Sequence, residues 1–182
     1  GIYLLDKEAV ENTAVELEIS GKAERIYCLD YTQAVNEINT LSDGTAEYIL
    51  HLPEICADTN LTDTNRYGNL ALPGNGRAAA VTLAGADSDT YLTFYGKINM
   101  SGNLTLKNLV LNPVKSASNE DAADFDISVT GSAKSGASLT LDKVWTWADS
   151  RCWENKNLPD EAPELPGGPG HINQIYGTKN VT

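Results

Sequence analysis

Five aromatic residues, Tyr91, Tyr95, Trp145, Trp147 and Trp153, are the side chains of this chain best suited to holding a ligand. Tyrosine and tryptophan offer large, rigid contact faces at low entropic cost, so they stack on sugar rings or anchor a protein partner. A hydrolytic site has less to build on. His51 and His171 are the only histidines, and no Gly-x-Ser-x-Gly elbow, His-Glu-x-x-His helix or phosphate-binding glycine loop accompanies them. His171 follows the turn-rich Pro166 to Gly170 and His51 sits among strand residues, so both read as structural. Paired carboxylates for glycoside hydrolysis would come from separate segments and leave no local motif.

Acidic runs occupy Asp58 to Asp63, Asp87 and Asp89, and Glu120, Asp121, Asp124 and Asp126. None has the spacing of an EF-hand loop or of a glycine-rich calcium repeat, so they read as solvated loop charge; no cofactor is expected, with calcium as the alternative. Cys28, Cys56 and Cys152 are odd in number and match no zinc spacing. They read as small buried hydrophobes, with a Cys28 to Cys56 disulfide left open because sequence separation does not give the Cα distance.

The elements that would position these groups follow from a repeat. Asn103 to Leu111 returns as Ser138 to Thr146, 35 residues on when Lys107 is set against Asp142, and a worn copy, Tyr176 to Val181, follows 37 residues later at Lys179. Each copy alternates apolar and polar residues about a two-residue corner, so Leu104, Leu106, Leu109 and Leu111 share one side. Val81 lies 23 residues before Leu104, with Leu92 to Phe94 and Ile98 to Met100 between them, a count that fits three short strands per turn. Lys115 to Asp124 and Ala148 to Gly170 read as polar insertions. A unit this small cannot bury its apolar side alone and must stack on its copies, so the pattern predicts an all-β solenoid. Within it Val144 and Thr146 point inward. Trp145 and Trp147 then face outward about 7 Å apart. Tyr91 and Tyr95, flanking inward Leu92 and Phe94, extend a lateral aromatic stripe, over which the proline-rich Ala148 to Gly170 loop, carrying Trp153, would fold in the competing reading.

Upstream, Asp30 and Gln33 have capping-box spacing, and Ala34, Val35, Ile38 and Leu41 share a helical face ahead of Asp43-Gly44. A short amphipathic helix is expected over Tyr31 to Leu41, laid across the open end of the sheet. Val15, Leu17 and Ile19 alternate with Glu16 and Glu18 as in a half-buried strand whose partner the sequence does not name. Residues 1–29 thus form an N-terminal strand segment and residues 30–182 the main domain.

The phrase Gly102 to Leu109, preceded by the helix-like Asp30 to Leu41 and the strand-like Tyr48 to Ile55, resembles the pectate-lyase-like right-handed parallel β-helix domains of large surface proteins from gut Firmicutes. The resemblance covers roughly residues 30–182 and implies a right-handed parallel β-helix with a short N-terminal capping α-helix. In that family an Asn often occupies the strand corner, which implies that role for Asn108 and Asn180; Lys143 departs from it. The family includes lyases, adhesins and domains without assigned activity, so fold alone does not choose. A lyase would require a basic residue beside clustered Asp, yet Arg25, Arg66, Arg77 and Arg151 sit in no such motif.

Thirteen basic against 25 acidic residues give a net charge of −12, which disfavours nucleic acid and anionic membranes as partners. No apolar run approaches the ~20 residues of a membrane span. Ending on Val181-Thr182 within a repeat, the chain reads as part of a larger protein. The expected function is a non-catalytic extracellular binding module on a bacterial cell surface, engaging a host protein such as an immunoglobulin or mucin, or a glycan. The alternatives are a polysaccharide lyase or glycosidase, and a structural spacer.

Overall fold

The computed structural model describes residues 14–53, 55–56, 70–73, 76–86, 90–94, 97–113, 125–130, 137–146 and 172–182. The chain opens with β1 (Val15–Ile19), β2 (Ile26–Cys28) and the helix α1 (Tyr31–Leu41). Next come β3 (Glu47–His51), β4 (Ile55–Cys56), β5 (Leu70–Ala71), β6 (Ala80–Ala84), β7 (Thr90–Phe94) and β8 (Lys97–Ser101). Then follow β9 (Asn103–Pro113), β10 (Phe125–Thr130), β11 (Ala137–Thr146), β12 (Ile172–Tyr176) and β13 (Thr178–Val181), with the repeat copies falling on β9, β11 and β13.

Helix α1 forms where the cap and the apolar spacing coincide. The Asp30 carboxylate accepts the Gln33 backbone N–H at 2.7 Å, and the Gln33 side chain reaches back to accept the Leu29 N–H at 2.6 Å. Tyr31, Ala34, Val35 and Ile38 are buried, and the helix packs against β1 and β2. Leu41, expected on that face, is 41% exposed. The stop is Ser42, in the left-handed region at φ 55°, rather than Asp43-Gly44.

Strand pairing gives a nine-stranded sheet with the path β13-β11-β9-β6-β3-β1-β2, β7 pairing with β9 and β4 with β7, and a second, parallel sheet in the order β12-β10-β8-β5. From β3 through β13 the pairs of the large sheet are parallel. Strand β1 pairs antiparallel with both β2 and β3, with Gly21 at φ 81° supplying the left-handed turn residue after β1. The expected all-β right-handed parallel β-helix is therefore corrected: the described residues form a mixed α/β structure with a large mixed sheet that has a parallel core, a separate parallel sheet and one helix, and they show no solenoid. The physical reason is that an alternating repeat specifies parallel neighbours in register but not the course of the chain between them. It carried no information about the antiparallel strands at the N-terminal side.

The core is built from rows of side chains that stand opposite one another across the large sheet. One row runs Leu17, Leu50, Leu83, Leu106 and Leu141, and the next runs Ile19, Tyr48, Val81, Leu104 and Leu139. All but the half-buried Leu141 are buried in a single cluster that also receives Ile98, Met100, Ile127 and Val129 from the second sheet. Residues alternating with these rows point to the other side, because a strand's side chains have a period of two. Each full leucine burial stabilises the fold by roughly 1.5–3 kcal/mol.

Strands β9 and β11 bend in concert. Asn108 and Lys143 take φ 53° and 54°, at equivalent points between the pairs Lys107 with Asp142 and Leu109 with Val144. Gly85 completes this column: its N–H donates to the Lys107 carbonyl at 2.9 Å, and a Cβ there would fall on the Asn108 carbonyl oxygen and within 2.7 Å of the Thr90 side chain. Asn108 and the expected corner agree. Asn180 does not: it lies opposite Ser138, with Val181 opposite Leu139, so the third copy is set in a different register from the one its sequence suggested.

Two outcomes follow from the rows and the corner. Leu106→Ala should lower unfolding free energy by about 2–5 kcal/mol in urea denaturation. Lys143→Asn should raise it by about 1 kcal/mol, since asparagine tolerates the left-handed conformation that a long side chain strains, whereas Gly85→Ala should lower it.

Candidate functional site

The bend at Asn108 and Lys143 decides what the outer side of the large sheet presents. Beyond it Leu109 and Leu111 are buried in the core, so Val110 between them faces outward. Val110 is nevertheless only 4% exposed and lies outside the core cluster. Its register neighbours are Tyr91 on β7 and Trp145 on β11. Val144 packs against the core, which puts Trp145 on the same outer side as Val110, partly exposed. Of the aromatic stripe, then, Trp145 is placed with its side chain and Tyr91 by its backbone alone. Tyr95, Trp147 and Trp153 lie outside the described residues, as does the loop from 148 to 170.

On the near side of the bend the outer residues are polar. Lys107 and Asp142 stand opposite each other with Nζ and Oδ2 3.9 Å apart, each side chain about half exposed at 50% and 47%. This separation is too long for a hydrogen bond, so both groups keep their donors and acceptors for other partners. Thr82, Thr105 and Thr140 form the next row, in register across β6, β9 and β11. Beyond them the Asn103 side-chain oxygen accepts both the Ser138 backbone N–H at 2.9 Å and its hydroxyl at 3.1 Å, tying β9 to β11.

At the antiparallel side lies a charged cluster that the sequence reading did not assemble. Arg25 donates to Glu16 at 2.9 Å and sits 3.2 Å from Glu18, whose other partner is the His51 ring, Nε2 to Oε2 2.7 Å. The hydrogen bond to His51 holds the Glu18 carboxyl below its ordinary value of 4.5, aided by the Arg25 charge and opposed by partial desolvation. The missing signal was the pairing of β1 with β3, which sets Glu16 opposite His51 and Glu18 opposite Ile49. Here His51 fastens two strands together.

Cys28 is a free thiol, buried, and desolvation pushes it up to about 11, so it stays protonated at neutral pH and is no nucleophile. Of the acidic runs only Asp126 lies among the described residues, on β10. His171, Arg66, Arg151 and Cys152 lie outside them. Among the described residues no helix is long and apolar enough to cross a membrane. Comparison with protein-family models, curated proteins and solved structures gives no match.

The Glu18 shift has a pH signature. Its folded pKa lies below the unfolded one, so its contribution to stability is complete above the unfolded carboxylate range and is lost as pH falls through the folded value. Glu18→Gln should therefore be less stable than the parent at pH 7, with the gap closing when urea midpoints are compared at pH 3.

Proposed function

We propose that this chain is a non-catalytic binding module, working outside the cell on a bacterial surface and engaging a host or matrix macromolecule. The observation that supports the reading is Trp145: a partly exposed indole on the outer side of a parallel strand pair, opposite buried Val110 in register, with the Lys107 and Asp142 pair three positions away across the bend. Anchors of this kind, an aromatic face held by packed neighbours with a polar rim, dominate interface energetics. Three titratable groups among the described residues support it in another way. Glu18 and His51 are spent on each other and on Arg25, and Cys28 is buried, so their arrangement serves the fold.

Truncating the anchor separates this reading from a spacer or an enzyme. Trp145→Ala, confirmed folded by its unfolding midpoint, should weaken binding to the responsive member of a panel of glycans and host proteins by about 2 kcal/mol. Equal binding by parent and variant, or release of unsaturated uronides by the parent, would overturn it.

A further inference from the structure

Resting on that reading, we infer that the ligand of the Trp145 face is a neutral glycan, one of whose hydroxyl groups bridges Lys107 and Asp142 while the ring lies on the indole. The geometry of the pair carries the first half of the inference. Nζ and Oδ2 are 3.9 Å apart, beyond hydrogen-bond reach and half exposed. An ammonium and a carboxylate at that separation can both contact one oxygen that accepts from the first and donates to the second. Water and a sugar hydroxyl are groups of this kind. An anionic oxygen is not, because it has no proton to give to Asp142.

Register supplies the second half. Lys107 and Asp142 are opposite residues of β9 and β11, and Val110 and Trp145 are opposite residues three positions further along the same two strands, just past the shared bend. The bridging pair and the indole thus lie on the outer side of a single strand pair, three positions apart and on either side of the bend, so the ligand must span that corner. A pyranose presents an apolar C–H face and an equatorial rim of hydroxyls, which fits an indole beside a donor and acceptor set. Thr105 and Thr140 continue the polar rim on the same two strands, again opposite each other. Charge selects the uncharged member of the sugar class. The chain carries −12 overall, so a uronate or sulfated polymer meets long-range repulsion, and the local Lys107 charge is already countered by Asp142.

The test is titration of the whole chain with neutral gluco-, manno-, xylo- and galacto-oligosaccharides, with oligogalacturonate and a sulfated oligosaccharide as anionic counterparts. At least one neutral series should bind, with the anionic ones weaker. Asp142→Ala and Lys107→Met should each weaken it about tenfold or more, as should Trp145→Ala. Lys143→Asn, which leaves the pair intact, should bind as the parent does and show that the bend itself is not at fault. Tighter binding of the anionic sugars, or a neutral sugar insensitive to Asp142→Ala and Lys107→Met, overturns the inference. Should no sugar bind while a protein ligand is lost on Trp145→Ala, the inference fails and the binding reading stands; if Trp145→Ala changes nothing, both fail.

Discussion

In-register stacking of apolar side chains across neighbouring strands is the constraint on which the rest of this structure depends. Leu17, Leu50, Leu83 and Leu106 occupy successive strands at the same height, and all four are fully buried. A slip of one residue in any of these pairings would turn that strand's leucines to the outer side and its threonine or charged residues into the core. The penalty, several apolar burials lost and several polar groups left without partners, is far larger than any single outer-face contact. Register is therefore fixed from the inside. The outer residues inherit their alignment from it.

That inheritance explains the alignment of the polar residues on the outer side of β9 and β11. Lys107 meets Asp142, and Thr105 meets Thr140, because Leu104 and Leu106 meet Leu139 and Leu141. Where the outer groups do bond to one another, as Ser138 does to Asn103, they add to an alignment already set. The bend at Asn108 and Lys143 is the second device. Two left-handed residues at matching positions turn both strands together, so pairing continues past the corner and Val110 and Trp145 emerge on a facet of their own. Gly85 leaves room for the Asn108 carbonyl at this corner.

Much of this local order was legible in the residues. The helix over Tyr31–Leu41 and its Asp30 cap followed from capping-box spacing and an apolar face, both short-range signals. The offsets of 23 and 35 residues correspond to the observed pairs Val81 with Leu104 and Lys107 with Asp142. What failed was inference from neighbours to the whole. Alternation says that a strand has an inside, but β1 alternates as well as β9 does and pairs antiparallel instead. The weak third copy was misaligned because Lys179-Asn180 resembles Lys107-Asn108 in type, whereas the structure aligns it by Val181 opposite Leu139, the apolar contact. The Glu18 and His51 pair was invisible for the same reason, being a product of strand order rather than of spacing.

The candidate site shows the converse. Trp145 was readable because period-two alternation assigns its side from Val144 alone, with no knowledge of topology. The Lys107 and Asp142 pair was written in the same repeat alignment, yet its meaning depends on a distance: at hydrogen-bond length the two would satisfy each other and form an inert surface clasp. At 3.9 Å and half exposed they remain short of mutual satisfaction, held near each other by a backbone register that neither of them determines. The pair is thus positioned by the core rather than by its own attraction, and on the outer side of β9 and β11 what aligns the residues is separate from what they bond to.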